Sequence, residues 1–217
     1  VEPMDTLPPS PDTDPEEILE IHPSDTEEEV SSISQQTGFQ YPDGPGGHYI
    51  SSSTLQRLNE GQWLDDTWME VWLNWLRLNV TRNPQEIFVF PTPFYNLLVD
   101  PKRRSRATKW TKKVPDLFKK SVLIIPVNEK HHWYLLAVIH PGRPTATILA
   151  MDSIRRSGYE PQFELIRWYL EQERYGRRVS DTRFTPTWPP GVMSKTEQQT
   201  NGSDCGVFTL RYAEVCM

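Results

Sequence analysis

The chain has 217 residues and a formal net charge of −6, and that charge is distributed very unevenly along it. Residues 1–47 contain 12 of the 29 acidic residues and no Lys or Arg, with eight of the 20 prolines and none of the eight tryptophans. A segment of this composition cannot bury enough apolar surface to offset the entropy lost on ordering. We therefore predict a disordered, acidic, proline-rich tail over residues 1–47 and one globular domain over residues 48–217.

The sequence also excludes several classes of protein. It contains no run of about 18 apolar residues, which excludes a membrane-spanning helix. Its first residues lack the basic and apolar regions of a signal peptide. The chain begins with Val1 rather than Met, so we expect it to be an excerpt of a longer protein.

The number and spacing of the cysteines indicate the redox state of the compartment. Cys205 and Cys216 are the only cysteines, and they lie eleven positions apart. On one helix, a rise of about 1.5 Å per residue would separate them by roughly 16 Å, whereas a disulfide requires Cα atoms within about 7 Å. They also lack the C-x-x-C spacing of a zinc site. We therefore predict a reducing compartment and no zinc site, and we expect no other metal and no cofactor.

The start of the domain predicts two helices. A short helix begins at Ser53 or Thr54 and stops near Gly61. A longer helix is capped by Asp65 or Asp66. Three tryptophans at helical spacing predict the core-facing stripe of this longer helix: Trp68, Trp72 and Trp75. After it, Ile87–Phe90 predicts a short strand that ends at two prolines.

A strongly basic segment follows over Lys102–Lys120, with nine Lys or Arg residues against the single Asp116. Its simplest interpretation is a solvated helical face. Two alternatives are a surface for an acidic partner and, at Lys102–Arg104, a nuclear import patch.

The next region predicts three strands rich in β-branched and aromatic residues: Val122–Val127, His132–Ile139 and Thr145–Met151. We expect the last two to form an antiparallel hairpin centred near residues 142 and 143. The residue numbers of two paired positions then sum to about 284 or 285, so His132 faces Asp152 or Ser153. A carboxylate beside an imidazole orients a general base, although a histidine at a strand end is also commonly structural. The neighbouring His131 should point to the opposite face.

A polar loop then opens into an apolar helix with Cys205 in its first turn. A helix N-terminus stabilises a thiolate, and a neighbouring imidazolium would stabilise it further. Gly206 would leave room for a substrate, and Gln199 could donate to a developing oxyanion beside the Cys205 N–H. The alternative role of Cys205 is a small buried apolar residue, which fits Cys216 better.

Three of these motifs stand in the chain order His, Asp, Gln, Cys: His132-Trp133, Asp152-Ser153 and the block QTNGSDCG over residues 199–206. Together they resemble the ubiquitin-like-protein-specific cysteine proteases, the sentrin/SUMO-specific peptidases. Papain-type enzymes place Cys before His. The segment QWLDD (62–66) resembles the family's Trp-Leu-Asn-Asp motif, with Asp65 in place of Asn. WTKK (110–113) and IPVNE (125–129) resemble the branch that trims SUMO chains.

This resemblance implies an α+β fold, a variant of the papain-like fold with a central mixed sheet flanked by helices. It implies cleavage after the Gly-Gly C-terminus of SUMO, from a lysine isopeptide bond or from a precursor. By the same resemblance Cys205 is the nucleophile, His132 the general base and then acid, Asp152 its orienting residue and Gln199 the oxyanion donor. The chain ends twelve residues after Cys205, where the family continues its helix, so we expect a domain cut short there.

The resemblance also implies substrate-binding residues. Trp63 and Trp133 match the pair of indoles that wall a narrow tunnel over the Gly-Gly strand, and Asp66 matches the second acid of its motif. Only glycine passes a slot closed by two indoles. On a regular strand Trp133 alternates away from His132, so its tunnel role requires a local bend.

The tail carries a weaker motif, Ile18-Leu19-Glu20-Ile21, between acidic residues. A short apolar strip flanked by acids resembles a SUMO-interacting motif, which adds a strand to the partner's sheet. The alternatives are a chance tetrapeptide, or an autoinhibitory tail lying on Lys102–Lys120.

Three functions follow from these observations. The first is a SUMO-directed cysteine isopeptidase, whose partners are SUMO or SUMO-conjugated proteins in the nucleus, with the cytoplasm also open. The second is the same chemistry on a Nedd-type modifier, and the third is a non-catalytic SUMO-binding module. We expect neither a membrane nor a direct nucleic-acid partner.

Overall fold

The computed structural model describes residues 38–154, 156–179, 185 and 187–217. The predicted tail motif Ile18–Ile21 therefore lies outside the described residues. Residues 38–47, also assigned to the tail, lie inside them and correct the predicted boundary. Strand β1 (Gly38–Tyr41) pairs antiparallel with β2 (His48–Ser51). Its aromatic residues favour a strand, and Tyr41 packs on a core cluster, so the ordered domain begins before residue 48.

The helices lie at α1 (Ser52–Gln56), α2 (Asp66–Asn79), α3 (Phe94–Val99), α4 (Ala107–Trp110), α5 (Glu160–Arg177) and α6 (Cys205–Cys216). Both predicted N-terminal helices are present, although α1 ends well before Gly61. Of the tryptophan stripe predicted to face the core on α2, only Trp68 is buried, whereas Trp72 and Trp75 are 44% and 37% exposed. Within the ranges that the structure describes, none of the helices has the length and apolarity needed to cross a membrane.

A five-stranded mixed sheet is built from β3 (Ile87–Val89), β4 (Val122–Glu129), β5 (His132–Ile139), β6 (Thr147–Met151) and β7 (Gly191–Met193), in that spatial order. The two outer pairs are parallel and the two inner pairs antiparallel. Helices pack on both faces of this sheet. The expected α+β fold with a central mixed sheet is therefore confirmed.

The central strand β5 is buried on both faces, because it lies between β4 and β6 and helices cover each face of the sheet. Tyr134 and Leu136 face the core cluster that contains α3 and α5. Trp133 and Leu135 face a second cluster that contains α2 and α6. This double burial explains why β5 reads as a continuous apolar run rather than an alternating one.

The β5–β6 hairpin differs slightly in register from the prediction. Leu135 pairs with Met151 and Ile139 with Thr147, so paired positions sum to 286. Two successive turns over residues 140–146 shift the centre of the hairpin towards its C-terminal side. A difference of two from the predicted sum of 284 leaves His132 and Asp152 on the same face, since side chains alternate with a period of two.

The basic segment does not form the single helical face expected for Lys102–Lys120. It is divided into a 3-10 turn (Arg104–Arg106), helix α4 and a second 3-10 turn (Leu117–Lys119). Helix α5 holds this segment in place through Arg177, which donates to the carbonyl oxygens of Thr111 and Val114 at 2.6 and 2.8 Å.

The same arginine neutralises a buried acid. Glu173 is 3% exposed and accepts hydrogen bonds from Arg177 Nε at 2.6 Å and Thr111 Oγ1 at 2.5 Å. Tyr169 completes the cluster, its hydroxyl 2.7 Å from Thr111 Oγ1. Removing one member of such a pair leaves a buried charge without its counterion, which costs more than the pair itself contributes.

We expect Arg177→Ala to lower the free energy of unfolding by about 3 kcal/mol, because Glu173 would remain buried without its counterion. The matched control is Arg211→Ala. Its ion pair with Glu214 lies on the surface, with the Arg211 side chain 68% exposed, so its loss should cost less than about 1 kcal/mol. Urea denaturation of both variants measures the difference, and equal losses would contradict the assigned role.

Candidate active site

A strained two-residue turn places His132 at the start of β5. Glu129 pairs with His132 across the β4–β5 hairpin, and Lys130 and His131 between them both have positive φ, at 54° and 62°. Such a turn matches the twist of the strands but usually contains Asn or Gly. Lys and His in this conformation each cost about 1–2 kcal/mol. His132 is thereby fixed beside the end of β6.

Asp152 directly follows β6 and accepts hydrogen bonds on both carboxylate oxygens. Its Oδ1 accepts from His132 Nε2 at 2.6 Å and from the Ile154 N–H at 2.8 Å. Its Oδ2 accepts from the Tyr159 hydroxyl and lies 3.2 Å from Arg156 Nε. Burial alone would raise the pKa of this carboxyl, but the donors, led by His132, hold it below its usual value. Asp152 is therefore an ionised orienting group.

Cys205 is the first residue of α6 and is only 3% exposed. Burial alone would raise the pKa of its thiol. The hydrogen bond with His132 and the backbone N–H groups of Trp133 and Gly206 outweigh that effect and lower the pKa below its usual value. The predicted position in the first helical turn, where N–H groups stabilise a thiolate, is confirmed.

His132 connects the acid and the thiol. Its Nε2 is held by Asp152, which leaves Nδ1 to face Cys205. Burial alone would lower the pKa of this imidazole, but hydrogen bonds with Asp152 and Cys205 raise it from its usual 6.5 to about 9. Both shifts favour the pairing of a thiolate with an imidazolium, the activated form of a cysteine nucleophile.

Gln199 lies in the loop that leads into α6. Its backbone N–H donates to the Ser153 carbonyl at 3.0 Å, and its Oε1 accepts from the Ser153 hydroxyl at 2.6 Å. Its Nε2 donates to the Asn201 carbonyl at 2.7 Å. Asn201 Oδ1 in turn accepts from the backbone N–H groups of Ser203 and Asp204. The amide is thus anchored beside Asp152 with its NH₂ directed into the loop that carries Cys205.

The two predicted tunnel residues occupy different environments. Trp63 is 49% exposed, donates from Nε1 to the Gly202 carbonyl at 2.8 Å and stacks on His131 with centroids 6.0 Å apart. Trp133 is only 2% exposed and donates to the Leu64 carbonyl at 2.9 Å. The bend needed to expose Trp133 is absent, because it alternates away from His132 into the core. The exposed aromatic pair at this surface is Trp63 with His131, and the tunnel role of Trp133 stays a prediction.

The other motif residues also separate into two groups. Asp65, not Asp66, caps α2 by accepting from the Trp68 N–H at 3.0 Å. Asp66 is the first residue of that helix and is exposed. A Cβ on Gly206 would lie 2.9 Å from Leu64 Cβ, so the structural role of this glycine is close packing of α6 rather than room for a substrate.

Sequence reasoning missed Arg156, Tyr159 and Glu129. Arg156 Nη1 lies 2.8 Å from Glu129 Oε2, and its guanidinium lies over the Tyr134 ring at 4.7 Å. The only sequence signal was their closeness to Asp152 and to the β4–β5 turn. Among the residues described, no group of three or more His, Cys, Asp or Glu side chains is arranged to hold a metal.

Comparison with known protein families matches residues 62–217 to the Ulp1 protease family, C-terminal catalytic domain. Among curated proteins, the ubiquitin-like-specific protease 2 of Schizosaccharomyces pombe is 31% identical over 86% of this chain and 36% of its own length. The human sentrin-specific protease 2 is 30% identical over 92% of this chain and 33% of its own length. The chain thus spans about a third of these relatives.

Solved structures share the fold. A de-sumoylating protease superposes with a TM-score of 0.68 at 20% identity, over 84% of this chain and 72% of that one. The C-terminal Ulp1 protease domain, solved in complex with Smt3, the yeast ortholog of SUMO, superposes with a TM-score of 0.64 at 19% identity. That match covers 90% of this chain and 84% of that one.

The two cysteines should differ sharply in their reactivity towards iodoacetamide. The lowered pKa of the Cys205 thiol should place the midpoint of its alkylation rate below that of a free thiol, whereas burial raises the pKa of Cys216 to about 11. In His132→Ala the Cys205 midpoint should rise by at least about one pH unit, since the partner that stabilises the thiolate is lost.

Peptide mass spectrometry over a pH series measures both midpoints in one sample. Cys216→Ala serves as the matched control and should leave the Cys205 midpoint unchanged. An identical Cys205 midpoint in wild type and His132→Ala would contradict the thiolate–imidazolium assignment.

Proposed function

Since this chain belongs to the Ulp1 protease family, we propose that it is a cysteine protease that cleaves after the Gly-Gly C-terminus of SUMO. Its substrates are SUMO joined to a target lysine by an isopeptide bond and SUMO precursors. The observation that carries the proposal is the hydrogen-bonded series Asp152–His132–Cys205, with a lowered pKa of the thiol. The names of the matched proteases and the Smt3 complex support SUMO as the modifier.

In the first half of the reaction, the Cys205 thiolate attacks the carbonyl carbon of the C-terminal glycine. The carbonyl π electrons move to oxygen, giving a tetrahedral intermediate. When this collapses, the C–N bond breaks and the His132 imidazolium gives its proton to the departing lysine nitrogen. The products are a free amine and a thioester between Cys205 and the modifier.

In the second half, the now neutral His132 accepts a proton from water while the water oxygen attacks the thioester carbonyl. The C–S bond breaks, the modifier leaves with a carboxyl terminus and Cys205 returns to the thiolate. His132 ends as the imidazolium, so the initial pair is restored. Asp152 stays ionised throughout and holds the imidazole in position.

The negative oxygen of the tetrahedral intermediate requires donors that are already in place. The backbone N–H of Cys205 at the start of α6 is one, and the Gln199 side chain is the other. Anchoring of Gln199 Oε1 by the Ser153 hydroxyl supports this role, because it leaves the NH₂ end of the amide directed into the Cys205 loop.

Trp63 and Asp66 are the proposed contacts with the modifier. The Trp63 indole is exposed yet held at both ends, by the Gly202 carbonyl and by stacking on His131. An extended Gly-Gly strand fits flat against such a ring because glycine has no Cβ. Asp66 offers an exposed carboxylate on α2 to a basic group of the modifier.

Two further predictions stay untested. The SUMO-interacting motif Ile18–Ile21 lies outside the described residues. Nuclear localisation rests on the basic cluster at Lys102–Arg104, of which Lys102 and Arg103 are exposed. Arg104 is partly buried, with its guanidinium 5.5 Å from the centroid of the Trp168 ring.

A SUMO probe with an electrophile at its C-terminal glycine should form one covalent adduct with this protein, on Cys205. The adduct should disappear in Cys205→Ala and persist in Cys216→Ala, because only Cys205 has an imidazole partner. Intact-mass spectrometry reads the result. Labelling by a Nedd-type probe but not by SUMO would move the specificity to another modifier, and no labelling of the folded protein would overturn the proposal.

The dependence of kcat/KM on pH should report the ionisation of Cys205 and His132. We expect kcat/KM to rise through the lowered pKa of the Cys205 thiol and to fall near pH 9 as His132 loses its proton. These limits belong to the coupled pair. Asp152→Asn should move the alkaline limit to lower pH, because the charge that raises the pKa of His132 is lost. It should also lower kcat by about 10²–10⁴.

Asp100→Asn, at an acid that pairs with Arg103 on the surface, is the isosteric control for that profile. It should leave both limits in place. An alkaline limit that does not move in Asp152→Asn would contradict the role given to Asp152.

A further inference from the structure

We infer that Arg156 is a positioning residue, which fixes the Asp152 carboxylate in the orientation that presents Oδ1 to His132. This inference rests on the proposed function, because it concerns the geometry of the same catalytic series. Neither the family motifs nor the sequence patterns assign a role to Arg156.

Arg156 spans the end of the sheet at the catalytic position. Glu129 ends β4, His132 begins β5 and Asp152 follows β6, so these residues lie on three adjacent strands. The guanidinium contacts residues on either side of β5. Its Nη1 lies 2.8 Å from Glu129 Oε2 at the end of β4, and its Nε lies 3.2 Å from Asp152 Oδ2 just after β6. Between them it lies over Tyr134, two residues along β5 from His132, at 4.7 Å from the ring centroid. Arg156 therefore bridges the strands on either side of the catalytic histidine.

The donors are divided between the two carboxylate oxygens. Oδ1 faces His132 and the Ile154 N–H, whereas Oδ2 faces Arg156 and the Tyr159 hydroxyl. Rotation of the carboxylate away from His132 would break the contacts at Oδ2. A charge-assisted contact such as that with Arg156 resists this rotation more than a neutral one.

A purely electrostatic role would have the opposite signature. The charge of Arg156 alone disfavours an imidazolium nearby, so its removal would raise the pKa of His132. Loss of positioning loosens Asp152, which lowers the pKa of His132 and makes the thiolate harder to form. The charged and titratable groups that face Arg156 or the ring beneath it are Glu129, Tyr134, Asp152, Tyr159 and Tyr95.

The surroundings of Arg156 permit a chemical rescue. The side chain is 26% exposed and borders an open cavity of about 370 Å³, which Asp152, Tyr159 and Met193 also line. Truncation to alanine would enlarge this space, so a free guanidinium ion can reach the vacated position beside Asp152.

The test compares Arg156→Ala and Arg156→Lys with Arg174→Ala, which removes an arginine paired with Glu171 on α5. In Arg156→Ala, we expect kcat on a SUMO substrate to fall about 10- to 100-fold, with KM nearly unchanged, since misplaced catalytic groups cost up to about 100-fold. The alkylation midpoint of Cys205 should move to higher pH, and the pKa of His132, followed by NMR titration of its ring protons, should fall. Added guanidine at millimolar concentration should restore several-fold activity to this variant alone, and Arg156→Lys should lie between it and wild type.

Unchanged kcat and an unchanged alkylation midpoint in Arg156→Ala would overturn the inference, as would a pKa of His132 that rises. If Arg156→Ala fails to fold, Glu129→Gln gives the same test. It removes one anchor of Arg156 and should lower kcat less, with the midpoint again moving up. Neither the alkylation assay nor the NMR titration of His132 needs a substrate, so together they remain decisive even if every modifier probe fails and the proposed function falls.

Discussion

The hydrogen bond between Asp152 and His132, 2.6 Å long, is the interaction on which the rest of the site depends. It joins the end of β6 to the start of β5, so a shift of that hairpin by one residue would turn the two side chains to opposite faces and break it. It also raises the pKa of His132, and the imidazolium then stabilises the Cys205 thiolate. The sheet provides the geometry and the carboxylate provides the charge, and a free imidazole near a thiol would have neither.

Much of this arrangement could be predicted because β-strands have a period of two. Once His132–Ile139 and the strand ending at Met151 were predicted to form a hairpin, only an even register could place His132 and Asp152 on one face. The helix at Cys205 was also predictable, since polar turn residues lead directly into an apolar run. These features follow from local pattern, and local pattern is what one sequence carries.

The parts that could not be predicted depend on contacts between distant segments. Burial of Trp133 is determined by α6 and the Leu64 carbonyl. The alternation of side chains along the strand indicates that Trp133 points into the core, whereas the motif match alone suggests that it lies at the surface. Strand β1 lies within residues 1–47, and the acidic, proline-rich composition of that whole segment hides its pairing with β2. Arg156 lies four residues beyond Asp152 in a loop, and only the folded sheet shows that it reaches Glu129 on β4.

The two cysteines show why residue type alone does not determine reactivity. Both lie on α6, one at each end, and burial alone would raise the pKa of both thiols. At Cys216, at the C-terminal end, burial is the sole cause of the pKa shift and raises the pKa to about 11. Cys205 has the helix N-terminus, two backbone N–H groups and an imidazolium that is itself held by a buried carboxylate. In a buried site these few donors are strong enough to reverse the effect of burial, and we therefore expect the same helix to carry one reactive and one inert thiol.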